Sequence, residues 1–461
     1  MVDIAKLKSV YLIGIKGSGM TSIAEIFHAW GIAVTGSDTS EKFFTDAVLL
    51  RKGIAFFEGF AIKNVPQQVD LVIHSTVYNQ ENNVELREAV RRNVEVASYP
   101  EILGMLLKQK MGIAVCGTHG KTTTTAMLAE AMRAAGADPS AIVGSQVIQW
   151  QGGALSGTGN YFVVEADEYQ NKLKYYDPFA AILTSADWDH PDFFPTIENY
   201  HQVFKEFVGR IPRHGFLVTW GDSVDTINVA KAAKCEVLQY GFGERNNYQI
   251  SDYSLNLDQR PVQKFTINVD GQKLGEFSIQ LIGKHNVLNA SAVIAVCHKL
   301  KLDLTCIRES LASFQGTTRR FEFIGERNGA VLFDDYAHHP EEIKATLKGA
   351  REIYPGRNII TIFHPHTFTR TKALLQEFAQ SFDDADQVIV LDIYGSAREQ
   401  QGGVSSSELV DLVNRYQHGK AEHVPSIKEV ISMLRDHVGK KDVIIAMGAG
   451  NVWEVVDQLK H

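Results

Sequence analysis

Gly117-Thr118-His119-Gly120-Lys121-Thr122-Thr123-Thr124-Thr125 follows the apolar run Gly112-Ile113-Ala114-Val115-Cys116 and leads into Ala126-Met127-Leu128-Ala129-Glu130-Ala131-Met132. That order reads as strand, glycine turn and helix, the arrangement of a phosphate cradle. Glycine lets the backbone approach an anion and turn its N–H groups inward, and a helix N-terminus adds positive potential; Lys121 brings a point charge and the Thr122 hydroxyl can hold Mg2+. Gly117, Thr118, Gly120, Lys121, Thr122 and Thr123 are therefore expected to bind a nucleoside triphosphate. The spacing departs from the usual GxxxxGK[ST], because Val115 stands where the first glycine belongs.

Outward from this segment, strand-like and helix-like runs alternate. Val10 to Ile15, Thr21 to Trp30, Ala33 to Gly36 and Leu71 to Ser75 carry the βαβ rhythm of a parallel sheet. A second unit opens near Met111 and includes the runs Tyr161 to Glu165, Ala180 to Thr184 and Phe216 to Trp220. Between Tyr248 and Leu281 the texture changes to polar/apolar alternation with an Asp270-Gly271 turn, which predicts an antiparallel insert on the flank of that unit. A third rhythm follows Gly316, with strand-like runs at Ala330 to Phe333, Asn358 to Phe363, Val388 to Leu391 and Val443 to Met447. Three α/β domains is the economical reading of 461 residues, since domains run to about 100–200 residues each.

Composition excludes several classes. Apolar residues at 44% and charged residues at 22% are ordinary for a globular enzyme, and a net charge of −8 argues against nucleic acid as the main partner. Cys116, Cys235, Cys297 and Cys306 lack CxxC or Cys/His spacing and read as reduced, buried, cytosolic thiols. The stretch from Met1 to Lys8 leads into an apolar run too short for a signal core, and no run of about 18 apolar residues occurs, so a cytoplasmic chain that does not enter a membrane is expected.

Gly14-Ile15-Lys16-Gly17-Ser18-Gly19-Met20 lies between a strand and a helix, with Asp38 after the next strand. The pattern is close to a dinucleotide fingerprint with its ribose-binding acid, but its spacing is imperfect. Three readings stay open: NAD(P), a tight packing turn, and a nucleotide-sugar diphosphate. The last is favoured because Lys121 already marks a separate nucleotide site.

Taken with Glu165-Ala166-Asp167-Glu168, Asp189-His190, Gly283 to Ala290, Arg319-Arg320-Phe321-Glu322 and Asp334 to Pro340, the two glycine turns resemble the Mur ligases, in order and spacing over nearly the whole chain. The resemblance implies an N-terminal Rossmann-like domain for a UDP sugar (1–108), a central P-loop ATPase-like domain whose mostly parallel sheet has an antiparallel flank (109–315), and a C-terminal Rossmann-like domain for the amino acid (316–461). Within the family, Asp335 to Pro340, Pro365 to Thr371 and Met447 to Asn451 look most like the branch that joins L-alanine to UDP-N-acetylmuramate. The branch that attaches a murein tripeptide to the same sugar ranks second, and a non-catalytic nucleotide-binding protein third. The expected cofactors are ATP and Mg2+, and the expected state is a monomer or homodimer.

The resemblance also assigns residues. Lys121 spans the β- and γ-phosphates; Thr122, Glu165 and His190 hold Mg2+, while Asp167 and Glu168 are read as carboxylates behind the metal or facing solvent, with a direct metal role as their other reading. Asn286 and Asn289 lie near the adenine, Asn286 having a helix cap as its other reading. Arg320 reaches phosphate, with Arg319 read as a surface charge. Asp335, Tyr336 and His338 meet ATP and the amino acid, for which His366 and Arg370 are the best candidates, because a guanidinium pairs a carboxylate through two parallel hydrogen bonds. Gly17, Ser18, Gly19, Met20, Asp38 and Ser75 are expected around the sugar nucleotide. The base for the attacking amine is not assigned, His338 and His339 being the candidates, and His119 is read as shaping the loop rather than reacting. Ser185, Tyr169, Pro191 and Thr367 depart from the commoner pattern, the last standing where many relatives carry a second arginine.

Overall fold

The computed structural model describes residues 3–257, 261–395 and 401–461. Met1, part of the stretch read for an export signal, lies outside the described residues. The described strands form three sheets, each built around one of the three sequence rhythms.

The first sheet contains β1 (Ser9–Ile13), β2 (Ala33–Asp38), β3 (Ala55–Glu58), β4 (Leu71–His74) and β5 (Glu95–Ser98), all parallel in the order β3-β2-β1-β4-β5. The second has β6 (Met111–Cys116), β7 (Ser140–Val147), β8 (Gly152–Leu155), β9 (Tyr161–Glu165), β10 (Ala180–Leu183), β11 (Phe216–Trp220), β12 (Glu236–Gly241), β13 (Tyr248–Asn256), β14 (Val262–Val269) and β15 (Gln272–Ile279). Its order is β15-β14-β13-β12-β11-β10-β6-β9-β7-β8. The antiparallel β13, β14 and β15 form the expected flank, β14 and β15 meeting at the Asp270-Gly271 turn, where both residues have positive φ. A second antiparallel edge, β8 on β7, was not expected.

The third sheet contains β16 (Glu322–Arg327), β17 (Ala330–Asp335), β18 (Asn358–Phe363), β19 (Gln387–Val390), β20 (Ala421–His423) and β21 (Asp442–Met447), in the order β16-β17-β21-β18-β19-β20. Only β16 runs antiparallel to its neighbour. Strands such as β6 and β21 are buried on both faces, which is why they read as unbroken apolar runs rather than alternating ones.

Two joints between these units differ in chemistry. One continuous apolar core runs from Leu12, Ile23 and Phe27 of the first unit through Leu103 and Leu107 to Ala114, Phe162 and Phe204 of the second. The helix Tyr99–Gln109 bridges them so closely that a Cβ on Gly104 would lie 2.3 Å from the Tyr175 carbonyl oxygen. The third unit has its own two cores, one on each face of its sheet, and meets the second largely through charged and polar side chains. The first unit is thus locked by burial, and the third is held by pairs that can exchange partners.

Glu25, on the helix Ser18–Ala29, is buried at the apolar joint against Gly152 and Gly153, with the Lys52 ammonium 3.9 Å away. Burial pushes its carboxyl from 4.5 up to about 7. The folded chain therefore holds this proton more tightly than the unfolded one, so the contribution to stability is full below about pH 4.5 and is lost as pH rises through about 7. Glu25→Gln should remove that dependence, and its melting temperature should gain on the wild type between about pH 5 and about pH 8 by the equivalent of up to about 3 kcal/mol.

Candidate active site

The phosphate cradle forms at the carboxyl end of β6, where α/β sheets gather ligands. Gly117 has φ +130°, and a Cβ there would lie 2.3 Å from Thr184 Oγ1 and 2.8 Å from the Ser185 backbone, so only glycine lets the loop lie against β10's end. Gly120, with φ +76°, opens the helix Lys121–Ala134, and a Cβ there would meet Asn289 Oδ1 at 2.6 Å. Ser185, a departure from the commoner pattern, closes the loop from the other side: its hydroxyl accepts the His119 N–H at 2.8 Å. The Thr118 hydroxyl donates to the Asp187 carbonyl at 2.6 Å, and Thr123 lines the adjoining cleft.

Lys121 folds back over its own loop. Its ammonium donates to the Gly117 carbonyl, to Thr118 O at 3.1 Å, and to Glu168 at 3.0 and 3.3 Å. Burial works to lower its pKa, but Glu168, with Asp167 and Glu165 beyond, more than offsets this and keeps the ammonium charged. Glu168 is itself buried and accepts the Tyr200 hydroxyl at 2.9 Å. Reading it as a carboxylate behind the metal or facing solvent missed this contact: it is the counter-ion of Lys121.

Glu165, at the end of β9, accepts the Thr122 hydroxyl at 2.8 Å and the Gly144 N–H at 2.6 Å. Asp167, Glu168 and His190 offer ligand atoms that all lie within 4.8 Å of one another. Carboxylate and hydroxyl oxygens suit a hard divalent cation, and one imidazole beside them is compatible with it. His190 has φ +56°, and its N–H donates to Asp189 Oδ1 at 2.6 Å while the Tyr169 ring lies 4.5 Å from its own. Tyr169, another departure from pattern, therefore shapes the histidine's surroundings directly.

A cleft of about 260 Å³ opens beside the cradle, lined by Gly120, Asn286, Asn289, Arg320 and Asp335 among others. Asn286 is not a cap, because the helix begins earlier, at Lys284, with Gly283 before it. Its amide donates to Ile282 O at 2.6 Å and its oxygen accepts from Asn289 at 3.1 Å, so the two amides orient each other. Asp335 accepts N–H groups from Phe321 and Ala337, both at 2.7 Å, yet burial raises its carboxyl to about 6.

Arg319 is not a surface charge. It bonds Asp334 at 3.1 Å and Gly448 O at 2.7 Å, and both Arg319 and Arg320 lie over the Tyr336 ring, 5.0 and 5.2 Å from its centroid. His339 is poorly placed as a base: its Nε2–H donates to the Trp188 carbonyl at 3.3 Å and its one basic lone pair, on Nδ1, accepts the Glu341 N–H at 3.3 Å, so both ring nitrogens are engaged. His338 donates from Nδ1 to Tyr336 O at 2.9 Å, leaving Nε2 unprotonated; burial lowers its pKa to about 3 and keeps it neutral.

Arg370 is buried, and its fork faces Asp189, with Nε to Oδ1 at 2.9 Å and Nη2 to Oδ2 at 3.3 Å. The guanidinium expected to hold a substrate carboxylate is, in this arrangement, already paired to a protein carboxylate across the polar joint. His366 lies 3.4 Å from Arg370 Nη1 and stacks on Tyr394. Thr367, at φ +68°, caps the short helix Phe368–Ala373 that carries Arg370 by accepting its N–H at 3.3 Å.

The N-terminal turn borders this cluster from the first unit: Ser18 lines a small pocket with Ser145 and Gln146, next to Gly144, whose N–H Glu165 accepts. A Cβ on Gly14 would lie 2.8 Å from Tyr78 and 3.0 Å from Ser75, and one on Gly19 would lie 2.4 Å from the Tyr99 hydroxyl. Gly17 precedes the helix that begins at Ser18. Asp38 accepts N–H groups from Lys16 at 2.7 Å and Thr39 at 2.8 Å, so it fixes the turn as well as bordering it. The Met20 side chain is buried in the apolar core, which leaves only its backbone for a ligand.

Three family descriptions match the chain in succession: the Mur ligase family catalytic domain at residues 9–111, the Mur ligase middle domain at 115–297, and the Mur ligase glutamate ligase domain at 319–450. The UDP-N-acetylmuramate–L-alanine ligase of Desulfitobacterium hafniense (strain Y51) is 41% identical over 452 residues, covering 98% of this chain and 99% of that protein. The chain belongs to the Mur ligase family. Among solved Mur ligases, UDP-N-acetylmuramate-alanine ligase from Thermotoga maritima superposes with a TM-score of 0.81 at 26% identity, covering 98% of each chain. A murein peptide ligase from Psychrobacter arcticus 273-4 gives 0.72 at 25% identity, covering 98% of this chain and 99% of that one. The three-domain α/β architecture is the one the resemblance implied. No helix among the described residues is long and apolar enough to cross a membrane.

Glu342, Asp187 and Tyr200 were not singled out in the sequence. Only Glu342 left a signal there, four residues after His338 in the first turn of the helix Pro340–Ile353.

The Asp189–Arg370 pair yields a direct expectation. Arg370→Ala leaves a buried carboxylate uncompensated and should destabilise the protein by about 3–5 kcal/mol in denaturant unfolding, and adding Asp189→Asn should return much of that loss.

Proposed function

We propose that this chain joins L-alanine to the lactyl carboxylate of UDP-N-acetylmuramate with hydrolysis of ATP, through an acyl phosphate. The observation that carries the reading is the full-length, 41% identical match to a UDP-N-acetylmuramate–L-alanine ligase. The charged cleft supports it, because the Lys121-Thr122 pair, Glu165 and Arg320 come from three separate segments to one place. The murein peptide ligase neighbour superposes less closely, at 0.72 against 0.81.

A carboxylate is a poor electrophile with no leaving group, and converting it to a mixed anhydride with phosphate supplies one. The lactyl carboxylate and the γ-phosphate are both anions, so charge must be cancelled where they meet. Lys121 supplies fixed positive charge at the cradle and Arg320 supplies it from the other wall. Mg2+, held by Thr122 and Glu165 with His190 and its two neighbouring carboxylates close by, would neutralise phosphate oxygens when bound. Asn286 and Asn289 present oriented amides to the adenine. Asp335, with two backbone N–H groups on its carboxylate, fixes the start of the third unit against the cleft. His338 meets the incoming amine as a neutral imidazole. Arg370 takes the L-alanine carboxylate by exchanging it for Asp189. Gly17, Ser18, Gly19, Asp38 and Ser75 border the sugar nucleotide. Free thiols and dependence on ATP fit a cytoplasmic setting, in a monomer or homodimer.

ADP release should require UDP-N-acetylmuramate, L-alanine and Mg2+ together, and replacing L-alanine by the murein tripeptide should stop it; turnover with tripeptide alone would contradict the reading. Lys121→Ala should lower kcat at least about 100-fold, the scale seen when a preorganised charge-stabilising group is removed.

A further inference from the structure

His119 lies inside the phosphate loop, and its side chain crosses to the third unit. Its Nδ1 is 3.2 Å from Glu342 Oε1, while the same oxygen lies 3.7 Å from Arg320 Nη1. The other oxygen, Oε2, accepts the His338 N–H at 3.1 Å. One carboxylate therefore gathers donors from the phosphate loop, from the segment that enters the third domain, and from the turn that begins the helix Pro340–Ile353. His119 and Glu342 are only 20% and 13% exposed in their side chains, and both line the cleft.

A carboxylate on the wall of a cleft for an anionic triphosphate lowers affinity unless it is compensated, because like charges repel strongly where water is scarce. Its presence there calls for another purpose. We propose that Glu342 is a positioning residue for phosphoryl transfer: through His119 it fixes the phosphate loop, and through Arg320 the opposing guanidinium, in one register across the polar joint. This rests on the ATP-dependent reading above.

The surroundings agree with a paired charge. Burial acts to lower the His119 pKa, but Glu342 and Asp187, whose Oδ2 is 3.6 Å from His119 Nε2, raise it overall. Burial acts to raise the Glu342 carboxyl, but His338, His119 and Arg320 hold it well below the usual carboxylate range. The His339 ring, 4.7 Å from that of His119, is committed to backbone partners. The loop backbone is independently fastened by Ser185 and Thr184, so the side-chain contact adds orientation rather than basic loop structure.

A group that orients and does not attract predicts a separation of constants. Glu342→Gln keeps the shape and removes the charge; it should lower kcat about 10- to 100-fold, the scale of a small misplacement of reacting groups, while KM for ATP stays level or falls. His119→Ala should lower kcat similarly. The double variant should lose no more than the worse single, since two residues acting as one contact are not additive. Melting temperatures measured beside the kinetics should stay close to wild type for Glu342→Gln. Unchanged kcat in Glu342→Gln, or a double variant whose loss is the product of the two single losses, would overturn the proposal. Wild-type turnover in the same assay tests the underlying reaction separately: its absence would count against the ligase reading, whereas wild-type activity with indifferent variants would count against Glu342 alone.

Discussion

The Lys121 ammonium is largely buried where three chain segments meet, and a charge so placed persists only if carbonyls and carboxylates surround it. Much of the surrounding geometry answers that demand. Gly117 turns its carbonyl toward the ammonium, a turn open only to a residue without a side chain at φ +130°. Glu168 comes from beyond the end of β9 to supply the counter-charge, and Tyr200 holds Glu168 in place from the helix Ile197–Val208. Glu165, three residues before Glu168, is brought beside Thr122 by the same strand end. The cradle and the acidic cluster are therefore one electrostatic unit, and the approach of an anionic phosphate to Lys121 must redistribute the contacts that now satisfy it.

The two joints distribute rigidity unequally. Burial of Leu103, Leu107 and Phe162 in one core fixes the first unit against the second. Between the second and third units the side-chain contacts include Arg370 with Asp189, His119 with Glu342 and Ser145 with Thr318, beside Trp188, which packs on the third unit's core and whose carbonyl accepts from His339. Such contacts are directional, and a substrate carboxylate or a phosphate can compete for the same donors, which apolar packing does not permit. A reaction that must admit three substrates and then exclude water benefits from that arrangement.

Much of this was legible before any coordinates. Glycine spacing, the Lys-Thr pair and the apolar strands follow local rules, so the cradle, the antiparallel flank and the three α/β units could be read residue by residue. What escaped depends on partners distant in sequence. Arg319 looks like a surface charge beside Arg320 until β17 brings Asp334 within 3.1 Å of it. His338 and His339 are equivalent as letters, and only hydrogen bonds to Trp188 and Glu341 disfavour one as a base. Arg370 has the right chemistry for an amino-acid carboxylate, but its pairing with Asp189 spans 181 residues and leaves no local trace. Met20 belongs to a glycine-turn pattern and yet packs into the core, because its place in the first turn of the helix Ser18–Ala29 points it inward.

The central claim is that this charged cleft activates a carboxylate by phosphorylating it. Oxygen-18 placed in the lactyl carboxylate of UDP-N-acetylmuramate follows that step directly, because formation and aminolysis of an acyl phosphate carry one carboxylate oxygen into the released phosphate. Mass spectrometry of the phosphate after complete turnover with L-alanine and ATP should find one labelled oxygen per molecule. Phosphate carrying no label, with the amide product formed, would contradict the account.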